Sequence, residues 1–325
     1  FIFIIKIMEY DVIVLGAGAA GLSAAVFTCR KKLKTLIVSV DVGGQTNLTN
    51  HIENYPGFFT ETKDYPKGPK LMEIFEEQAK FYGAELIYGK ADKIEKTTHG
   101  FSITLTNGEH YECKALILAY GKVPRSLGVP GEEKFIGRGV SNTTLDAHKF
   151  KDKIVAIIGG GNSAVEGAEL LTKFAEKVYL IHRRDTFRAD EITIEKIKKN
   201  HKIEFILNSV PVEIKGHHEV ELLIVKDVNT KEKREIRVNG IFIEIGYMLD
   251  TAMVKEFVET NSLGEIVINE ACETNCAGIF AAGDITTIPF KQTVISAGQG
   301  ATAGLSAYMY IMKKEGKTGV KLDWS

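Results

Sequence analysis

The sequence is poor in cysteine and has no excess of charge of either sign. Its 325 residues include only four cysteines, and 41 basic residues stand against 42 acidic ones. Four scattered cysteines provide no disulfide framework, which excludes the small secreted folds that depend on one. Because the charges balance, nucleic acid and membrane surfaces are not expected as the main partners.

Long apolar runs are also missing. The apolar opening, residues 1–7, is far shorter than the ~20 residues that cross a bilayer as a helix. We expect no cleavable signal, and we therefore expect a cytoplasmic protein. A hydrophobic content of 44% is that of a globular protein, and the chain is too long for one ordinary core. Two domains are expected.

The first stretch that points to chemistry is GAGAAG, residues 16–21. An apolar run ends at this stretch and a helix-forming run follows it, which is typical of a strand, a tight turn and a helix. In such a turn the first glycine makes the bend, the second admits a pyrophosphate and the third lets the helix approach the strand. The next apolar run ends at an acid that can accept a hydrogen bond from a ribose hydroxyl. The predicted nucleotide-binding residues are Gly16, Gly18, Ala19, Ala20, Gly21 and Asp41.

The same pattern recurs later in the chain. The apolar run 153–158 ends at GGGNSA, residues 159–164, and a helix-forming run follows. The next apolar run is followed by HRRDTFR, residues 182–188, where an NAD site would carry an acid. Arginine at this place suits the 2′-phosphate of NADP, so we expect NADPH rather than NADH. The predicted residues are Gly159, Gly161, Asn162, Ser163, Ala164, His182, Arg183, Arg184 and Arg188.

Polar segments elsewhere in the chain complete the candidate site. GGQT and ENYPG, residues 43–46 and 53–57, belong to a polar loop that follows the first turn, and we expect this loop to wrap a ligand. GIFAAGD, residues 278–284, is predicted as a strand that ends in an acid, and KQT opens the last helix. The predicted residues in these segments are Gly44, Gln45, Thr46, Asn54, Gly283, Asp284, Lys291, Gln292 and Thr293.

Together with GGGNSAVEGAELL, HRRDTFRA and KQTVISAGQG, these motifs resemble the low-molecular-weight thioredoxin reductase family of flavoproteins, from Tyr10 to Met312. The resemblance implies an α/β fold with two Rossmann-like dinucleotide-binding domains. An FAD domain would comprise residues 1–117 and 246–325, with an NADPH domain of residues 118–245 inserted between its two segments.

The resemblance also implies roles for single residues. Asp284 would contact the ribityl chain of FAD, and residues 291–293 would lie near the isoalloxazine. Gln45 and Asn54 would also touch FAD. Because family members are typically homodimers, a homodimer is expected here.

The sequence departs from that family in the segment before the second glycine turn. Thioredoxin reductases carry a CxxC pair there, which takes electrons from reduced flavin. Residues 142–150 of this chain read NTTLDAHKF, so they contain no sulfur and cannot form this relay. Dithiol-free sequences of this kind resemble the thioredoxin-reductase-type ferredoxin–NADP reductases, although the GGQT–ENYPG loop is closer to the reductases of thioredoxin. We therefore expect a ferredoxin–NADP reductase whose partner is ferredoxin or another small electron carrier.

Two alternatives stay open. One is a thioredoxin reductase-like NADPH enzyme that reduces oxygen, quinones or a partner's disulfide directly. The other is a non-catalytic flavin or nucleotide sensor, although a pure sensor has no need of the NADP arginines. Hydride transfer requires no side-chain acid or base, so no catalytic residue is predicted. Asp146 is expected to cap a helix.

The four cysteines are expected to be structural. Cys29 and Cys113 fall in predicted core elements. Cys272 and Cys276 are expected to act as small hydrophobic side chains in or beside a strand. In an extended chain their Cα atoms would be roughly 13 Å apart, beyond the reach of a disulfide. The histidine pair at residues 217–218 is expected to be a solvated turn rather than a metal site.

Overall fold

The computed structural model describes residues 8–49, 52–58 and 67–317. The chain divides into two compact units. The first unit combines Phe1–Lys122 with Leu249–Ser325, and the second unit is Val123–Met248. These boundaries lie a few residues after the predicted ones at 117/118 and 245/246. The apolar opening, residues 1–7, lies outside the described residues.

The elements of the described residues follow in chain order. The strands are β1 (Met8–Ala17), β2 (Thr35–Val42), β3 (Glu85–Tyr88), β4 (Ala91–Lys96), β5 (Phe101–Leu105), β6 (His110–Leu118), β7 (Val123–Pro124), β8 (Val140–Ser141), β9 (Ile154–Gly159), β10 (Lys177–Ile181), β11 (Ile203–Ile206), β12 (Ser209–Lys215), β13 (Leu222–Asp227), β14 (Lys233–Arg237), β15 (Gly240–Glu244), β16 (Tyr247–Met248) and β17 (Ile279–Ala281). The helices are α1 (Ala19–Arg30), α2 (Gly68–Phe81), α3 (Glu132–Phe135), α4 (Asn162–Leu171), α5 (Glu191–Lys198) and α6 (Thr293–Lys314). Turns of 3₁₀ helix cover Gly44–Leu48, Thr144–Phe150 and Ala252–Val254.

The first unit is built on one mixed sheet. Its strand order is β3-β2-β1-β6-β5-β4, and β17 also pairs with β6. β1, β2, β3, β6 and β17 are parallel, whereas β4, β5 and β6 pair antiparallel. In β1, Val12 and Val14 join one core cluster while Ile13 and Leu15 join the other. Both faces of this strand are covered, which explains its continuous apolar run.

Helices α1 and α6 pack together on one face of this sheet. They approach closely because α6 carries glycine where it meets α1. A Cβ atom at Gly300 would lie 2.0 Å from the Ala20 carbonyl oxygen, and one at Gly304 would lie 2.8 Å from that of Ala24. The start of α1 is therefore held against α6.

The second unit contains a parallel sheet of order β11-β10-β9-β15-β8 and a smaller antiparallel sheet, β12-β13-β14. The alternating apolar and polar residues from Glu204 to Val238 predict a set of antiparallel hairpins. The structure differs at the beginning of this stretch, because β11 pairs in parallel with β10. β11 is a short strand at the edge of this sheet. Its pairing with β10 decides its place in the fold more than its own alternating pattern does. The predicted α/β class with two Rossmann-like sheets is confirmed. Within the described part of the chain, no helix has the length and apolar character needed to cross a membrane.

Candidate dinucleotide-binding sites

Three parallel strands of the first unit end side by side. Leu15 of β1 pairs with Leu118 of β6, which pairs with Ala281 of β17. The ladder continues, because the Ala119 N–H donates to the Leu15 carbonyl at 2.8 Å and the Ala282 N–H to the Leu118 carbonyl at 3.0 Å. Open α/β sheets bind ligands at the carboxyl ends of their strands. The residues that follow these three strands therefore form the first candidate site.

The three glycines of the first turn have different surroundings. Gly16 has a φ of +106°, and a Cβ atom there would lie 2.5 Å from the Ala119 carbonyl oxygen. A Cβ atom at Gly21 would lie 1.8 Å from the Gly16 carbonyl oxygen, so a side chain would push helix and strand apart. A Cβ atom at Gly18 would meet no atom within 4 Å. Gly18 therefore faces open space, where a ligand can approach its backbone.

The start of α1 presents unpaired amide groups to this space. The helix begins at Ala19, its N-cap is Gly18, and no side chain caps it. The first N–H groups of a helix have no partner within the helix, and its first turn contains no acidic residue. With the positive end of the helix dipole, this geometry favours an anion such as a pyrophosphate.

The end of β2 lies beside the glycine turn. Ala17 pairs with Val42, and the Gly43 N–H donates to the Ala17 carbonyl at 2.8 Å. A Cβ atom at Gly44 would lie 3.7 Å from the Gly18 Cα. Asp41, one residue before the end of β2, is exposed. Its carboxylate is free to accept hydrogen bonds from a ligand bound at this edge.

The polar loop contacts the start of α6, as two hydrogen bonds show. The hydroxyl groups of Thr46 and Thr293 are 3.0 Å apart, and the Asn54 amide donates to the Gln292 Oε1 at 2.9 Å. Gln292 is the N-cap of α6. Four of the predicted residues thus come together although about 240 residues of chain separate them. The Gln45 amide reaches the Lys122 carbonyl only at 3.5 Å.

The segment after β17 lies against the same edge. The Gly283 N–H donates to the Gln299 Oε1 at 2.8 Å, and a Cβ atom at Gly283 would lie 3.0 Å from the Ala20 Cβ. Asp284 forms an ion pair with Lys122 at 3.2 Å. Asp284 is therefore placed near the start of α1.

Lys291 lies in the same segment and is held by Glu265. Its ammonium is 2.9 Å from the Glu265 carboxylate and also donates to the Thr286 carbonyl. Burial opposes ionisation of Glu265, but hydrogen bonds from Lys291 and Asn261 keep its pKa below the usual value. The Lys291 ammonium is therefore engaged within the protein.

The second glycine turn repeats this arrangement in the second unit. Gly159 has a φ of +153°, and a Cβ atom there would lie 2.2 Å from the Glu244 carbonyl oxygen. Gly161 is the uncapped N-cap of α4, and a Cβ atom there would meet nothing within 4 Å. Asn162 and Ser163 are exposed in the first turn of α4, and Ala164 is buried. The turn thus offers the same open approach to helix amides as the first.

The arginine loop, residues 182–188, is tied to this turn. The Arg188 N–H donates to the Gly160 carbonyl at 2.7 Å. The His182 ring stacks on Phe187 with centroids 5.4 Å apart, and a Cβ atom at Gly160 would lie 2.2 Å from that imidazole. Burial, followed by the charges of the nearby arginines, lowers the pKa of His182. The loop therefore lies against the turn with the His182 ring between them.

The side chains around this loop divide into free and engaged groups. Arg183, Arg184 and Arg188 are exposed, and none forms an ion pair within the described part of the chain. Asn162, in contrast, is engaged with Asp190: its amide donates at 3.2 Å and its Oδ1 accepts the Asp190 N–H at 3.0 Å. The guanidinium groups are thus available to an anion, and Asn162 braces the loop.

The segment at the place of a CxxC pair forms a 3₁₀ turn. Thr143 caps it, since its hydroxyl accepts the Leu145 N–H at 3.2 Å. Asp146 instead forms an ion pair with Lys149 at 2.8 Å. The expectation that Asp146 caps the helix is therefore wrong, because the cap precedes it by three residues.

The four cysteines are free thiols that lie in or beside the core. Cys29, Cys113 and Cys272 are buried and Cys276 is half-buried. Cys272 belongs to one core cluster of the first unit, whereas Cys276 packs against the other. Burial raises the pKa of Cys272 to about 11 and that of Cys113 to about 12. Thiols of this kind are unreactive at neutral pH.

Three residues at the strand ends were not predicted from the sequence. Lys122 pairs with Asp284, and Tyr120 follows β6 beside the first glycine turn. Glu244 ends β15 opposite Gly159, and its side chain forms no hydrogen bond or ion pair with a described residue. Burial raises its pKa to about 7. An acid within the apolar run IFIEIG was the signal that could have identified Glu244.

Comparisons with known proteins agree on one family. A family model described as pyridine nucleotide-disulphide oxidoreductase matches residues 10–304. The thioredoxin reductase of Peptoclostridium acidaminophilum is 40% identical over 312 residues, which are 93% of this chain and 97% of that protein. The thioredoxin reductase of Helicobacter pylori is 39% identical over 310 residues, with 93% and 98% covered. The crystal structure of Lactococcus lactis thioredoxin reductase superposes with a TM-score of 0.74 at 37% identity, covering 94% of this chain and 99% of that one.

These relatives overturn one expectation. The prediction of a ferredoxin–NADP reductase is wrong, because relatives that match over nearly the whole chain at 36–40% identity are named thioredoxin reductase. Their names do not support a ferredoxin partner. One missing pair of cysteines carries less information than the motifs that extend over the rest of the chain. The chain belongs to the pyridine nucleotide-disulphide oxidoreductase family and is a thioredoxin reductase-like flavoprotein, of a kind that uses FAD and NADPH.

Proposed function

We propose that the protein is an NADPH-dependent flavoenzyme of the thioredoxin reductase type that delivers electrons to a protein disulfide. One observation carries the proposal. Each of the two units contains a dinucleotide turn that opens on free space at Gly18 or Gly161. Relatives that are 36–40% identical over 93–94% of the chain are thioredoxin reductases.

The residues of the first unit fit FAD. Gly18 and the α1 amides suit its pyrophosphate, Asp41 suits a ribose, and Asp284 suits the ribityl chain. When bound, FAD supplies a ring that takes up hydride from NADPH and passes electrons on. Asn47 Oδ1 and Tyr120 Oη are buried and have no hydrogen-bond partner among the described residues. Buried polar atoms are normally hydrogen-bonded, so a polar ligand at this site would supply the missing partners. The further FAD residues in this proposal are Gly16, Ala19, Ala20, Gly21, Gly44, Gln45, Thr46, Asn54, Gly283, Lys291, Gln292 and Thr293.

The residues of the second unit fit NADPH. The α4 amides suit the pyrophosphate, and Arg183, Arg184 and Arg188 offer planar, charged forks to the 2′-phosphate. These arginines have no competing ion pair within the described residues. The site would comprise residues 159–164 and 182–188, with Asn162 and His182 as supports of the loop.

The absence of an internal thiol pair defines the acceptor step. Cys272 and Cys276 pack in different core clusters, and residues 142–150 contain no cysteine. We propose that the acceptor's own disulfide would receive the electrons that bound FAD supplies, with no relay thiol from this chain. The same sulfur-free segment favours a second candidate, an NADPH oxidase or quinone reductase, since oxygen and quinones need no relay thiol. We also propose a homodimer, in which thioredoxin reductases usually occur.

Anaerobic titration of the purified yellow protein with NADPH tests the first step. We expect the flavin absorbance to bleach with one equivalent of NADPH per flavin and to bleach much more slowly with NADH. Retention of the yellow colour would contradict an enzyme and favour a sensor. Addition of oxidised thioredoxin, then of a quinone or oxygen, to the bleached protein identifies the acceptor. Return of the colour with thioredoxin supports a disulfide acceptor, and return only with quinone or oxygen supports the second candidate.

A further inference from the structure

Tyr120 touches the first glycine turn through its backbone. It follows β6 directly, and the preceding Ala119 closes the ladder with Leu15. A Cβ atom at Gly16 would lie 2.6 Å from the Tyr120 Cα. Lys122, two residues further, pairs with Asp284. The Tyr120 backbone thus contacts the turn, two residues before the lysine that pairs with a candidate FAD residue.

The Tyr120 hydroxyl is buried and unpartnered. Its oxygen is covered, and the ring packs against the core cluster that contains Ile13 and Leu15. The oxygen has no hydrogen-bond partner among the described residues. A buried hydroxyl without a partner costs stability, so native proteins rarely retain one without a reason. Burial, and then the charge of Asp250, raises the pKa of Tyr120, so the group remains a donor at every working pH.

Other buried tyrosines of the same unit are satisfied. Tyr10 donates to the Glu85 carboxylate at 2.7 Å, and Tyr111 donates to that of Glu109 at 3.2 Å. Tyr111 lies at the beginning of β6, whereas Tyr120 follows the end of this strand. The unpartnered hydroxyl is therefore the one at the carboxyl edge of the sheet, where a ligand binds.

We propose that the Tyr120 hydroxyl donates a hydrogen bond to an acceptor atom of bound FAD and so helps to hold the cofactor. The inference rests on the proposed FAD site of the first unit. It deepens that proposal by naming a side chain that no glycine motif indicates.

FAD release from the purified holoprotein tests the inference. Dilution series of wild type, Tyr120→Phe and Tyr111→Phe are followed by the fluorescence of released FAD, which gives the dissociation constant. Loss of one hydrogen bond to a ligand should weaken FAD binding about tenfold in Tyr120→Phe. The matched control Tyr111→Phe should bind FAD within about twofold of wild type, because its hydroxyl lies at the far end of β6.

Thermal unfolding of FAD-free and FAD-bound protein separates this role from a structural one. If the hydroxyl has no partner until FAD binds, Tyr120→Phe should leave the FAD-free protein as stable as wild type or more so, and should reduce the stabilisation by FAD. Equal loss of stability in both forms would overturn the inference, as would unchanged FAD affinity. In both cases the proposed function stands. Failure of wild type to bind FAD would overturn the proposed function as well.

Discussion

Gly18 and Gly21 are three residues apart and are glycine for different reasons. A side chain at Gly21 would collide with the Gly16 backbone, whereas one at Gly18 would enter empty space. Gly21 is thus constrained by the fold of the turn, and Gly18 is constrained by the ligand that approaches it. Single residues of this site can therefore be tested separately for folding and for binding.

Gly21→Ala should destabilise the protein, and Gly18→Ala should not. We expect Gly21→Ala to lower the free energy of unfolding by about 1–3 kcal/mol, because backbone must move to admit the methyl group. Gly18→Ala should change stability by less than ~0.5 kcal/mol but weaken FAD binding by about tenfold or more. Chemical denaturation of the FAD-free proteins and FAD fluorescence measure the two quantities. A large stability loss in Gly18→Ala would contradict the assignment of open space at this residue.

The two cysteines near β17 should be dispensable. Cys272 and Cys276 pack against different core clusters, and burial raises the pKa of Cys272 to about 11. We expect Cys272→Ala with Cys276→Ala to reduce flavin with NADPH at the wild-type rate and to turn over the acceptor within about twofold. Stopped-flow absorbance and steady-state assays check this. Loss of turnover with intact flavin reduction would show that these thiols form a displaced relay.

At the scale of elements, the loop after β10 should determine nucleotide preference. It is anchored to the second glycine turn by the Arg188 N–H, and its arginines have no ion pair among the described residues. Arg183→Ala with Arg184→Ala should weaken NADPH binding about 100-fold, because each charge-assisted hydrogen bond contributes about 1.5–3 kcal/mol. NADH binding should change by less than about threefold.

A matched control for this loop lies in the same unit. Arg234 is paired with Glu204 at 2.7 Å, so Arg234→Ala should leave the ratio of NADPH to NADH affinity unchanged. Isothermal titration with both nucleotides measures the ratio. Equal losses for NADPH and NADH in the double variant would refute the phosphate assignment.

The end of β15 should give the protein a pH-dependent stability. Burial raises the pKa of Glu244 from 4.5 to about 7 in the folded protein. Above its unfolded pKa the carboxyl ionises more readily in the unfolded chain, so stability falls as pH rises from about 4.5 to 7. Glu244→Gln should remove this cost and raise the free energy of unfolding by about 1–2 kcal/mol at pH 8, with little effect at pH 4.

Denaturation at several pH values checks the Glu244 prediction. Glu235→Gln is the control, because Glu235 is exposed on β14 of the same unit. It should leave the pH profile unchanged. A constant difference between Glu244→Gln and wild type from pH 4 to pH 8 would contradict a raised pKa.

At the scale of the whole molecule, the sequence predicts local structure better than distant contacts. The two glycine turns could be predicted because their constraints lie within a few residues: Gly16, Gly21 and Gly159 have no room for a side chain. The contact of Thr46 with Thr293 could not, since no local pattern relates residues so far apart in the chain. The parallel pairing of β11 also depends on β10 rather than on its own residues.

The electron acceptor shows the same limit. The missing CxxC pair is a feature of one short segment, and from it we predicted a ferredoxin–NADP reductase. Similarity over more than 300 residues to thioredoxin reductases contradicts that prediction. Function in this family is distributed over two units and several segments, so one short motif is a weak guide to it.

The pairing of β17 with β6 sets an order of events during synthesis. Ile279 pairs with Leu116, and the whole second unit lies between them in the chain. A ribosome therefore releases β1, β6 and the first glycine turn long before Asp284 and α6 emerge. The carboxyl end of β6 therefore waits for its β17 partner while the inserted unit is being translated, and α6, which follows β17 in the chain, is translated later still.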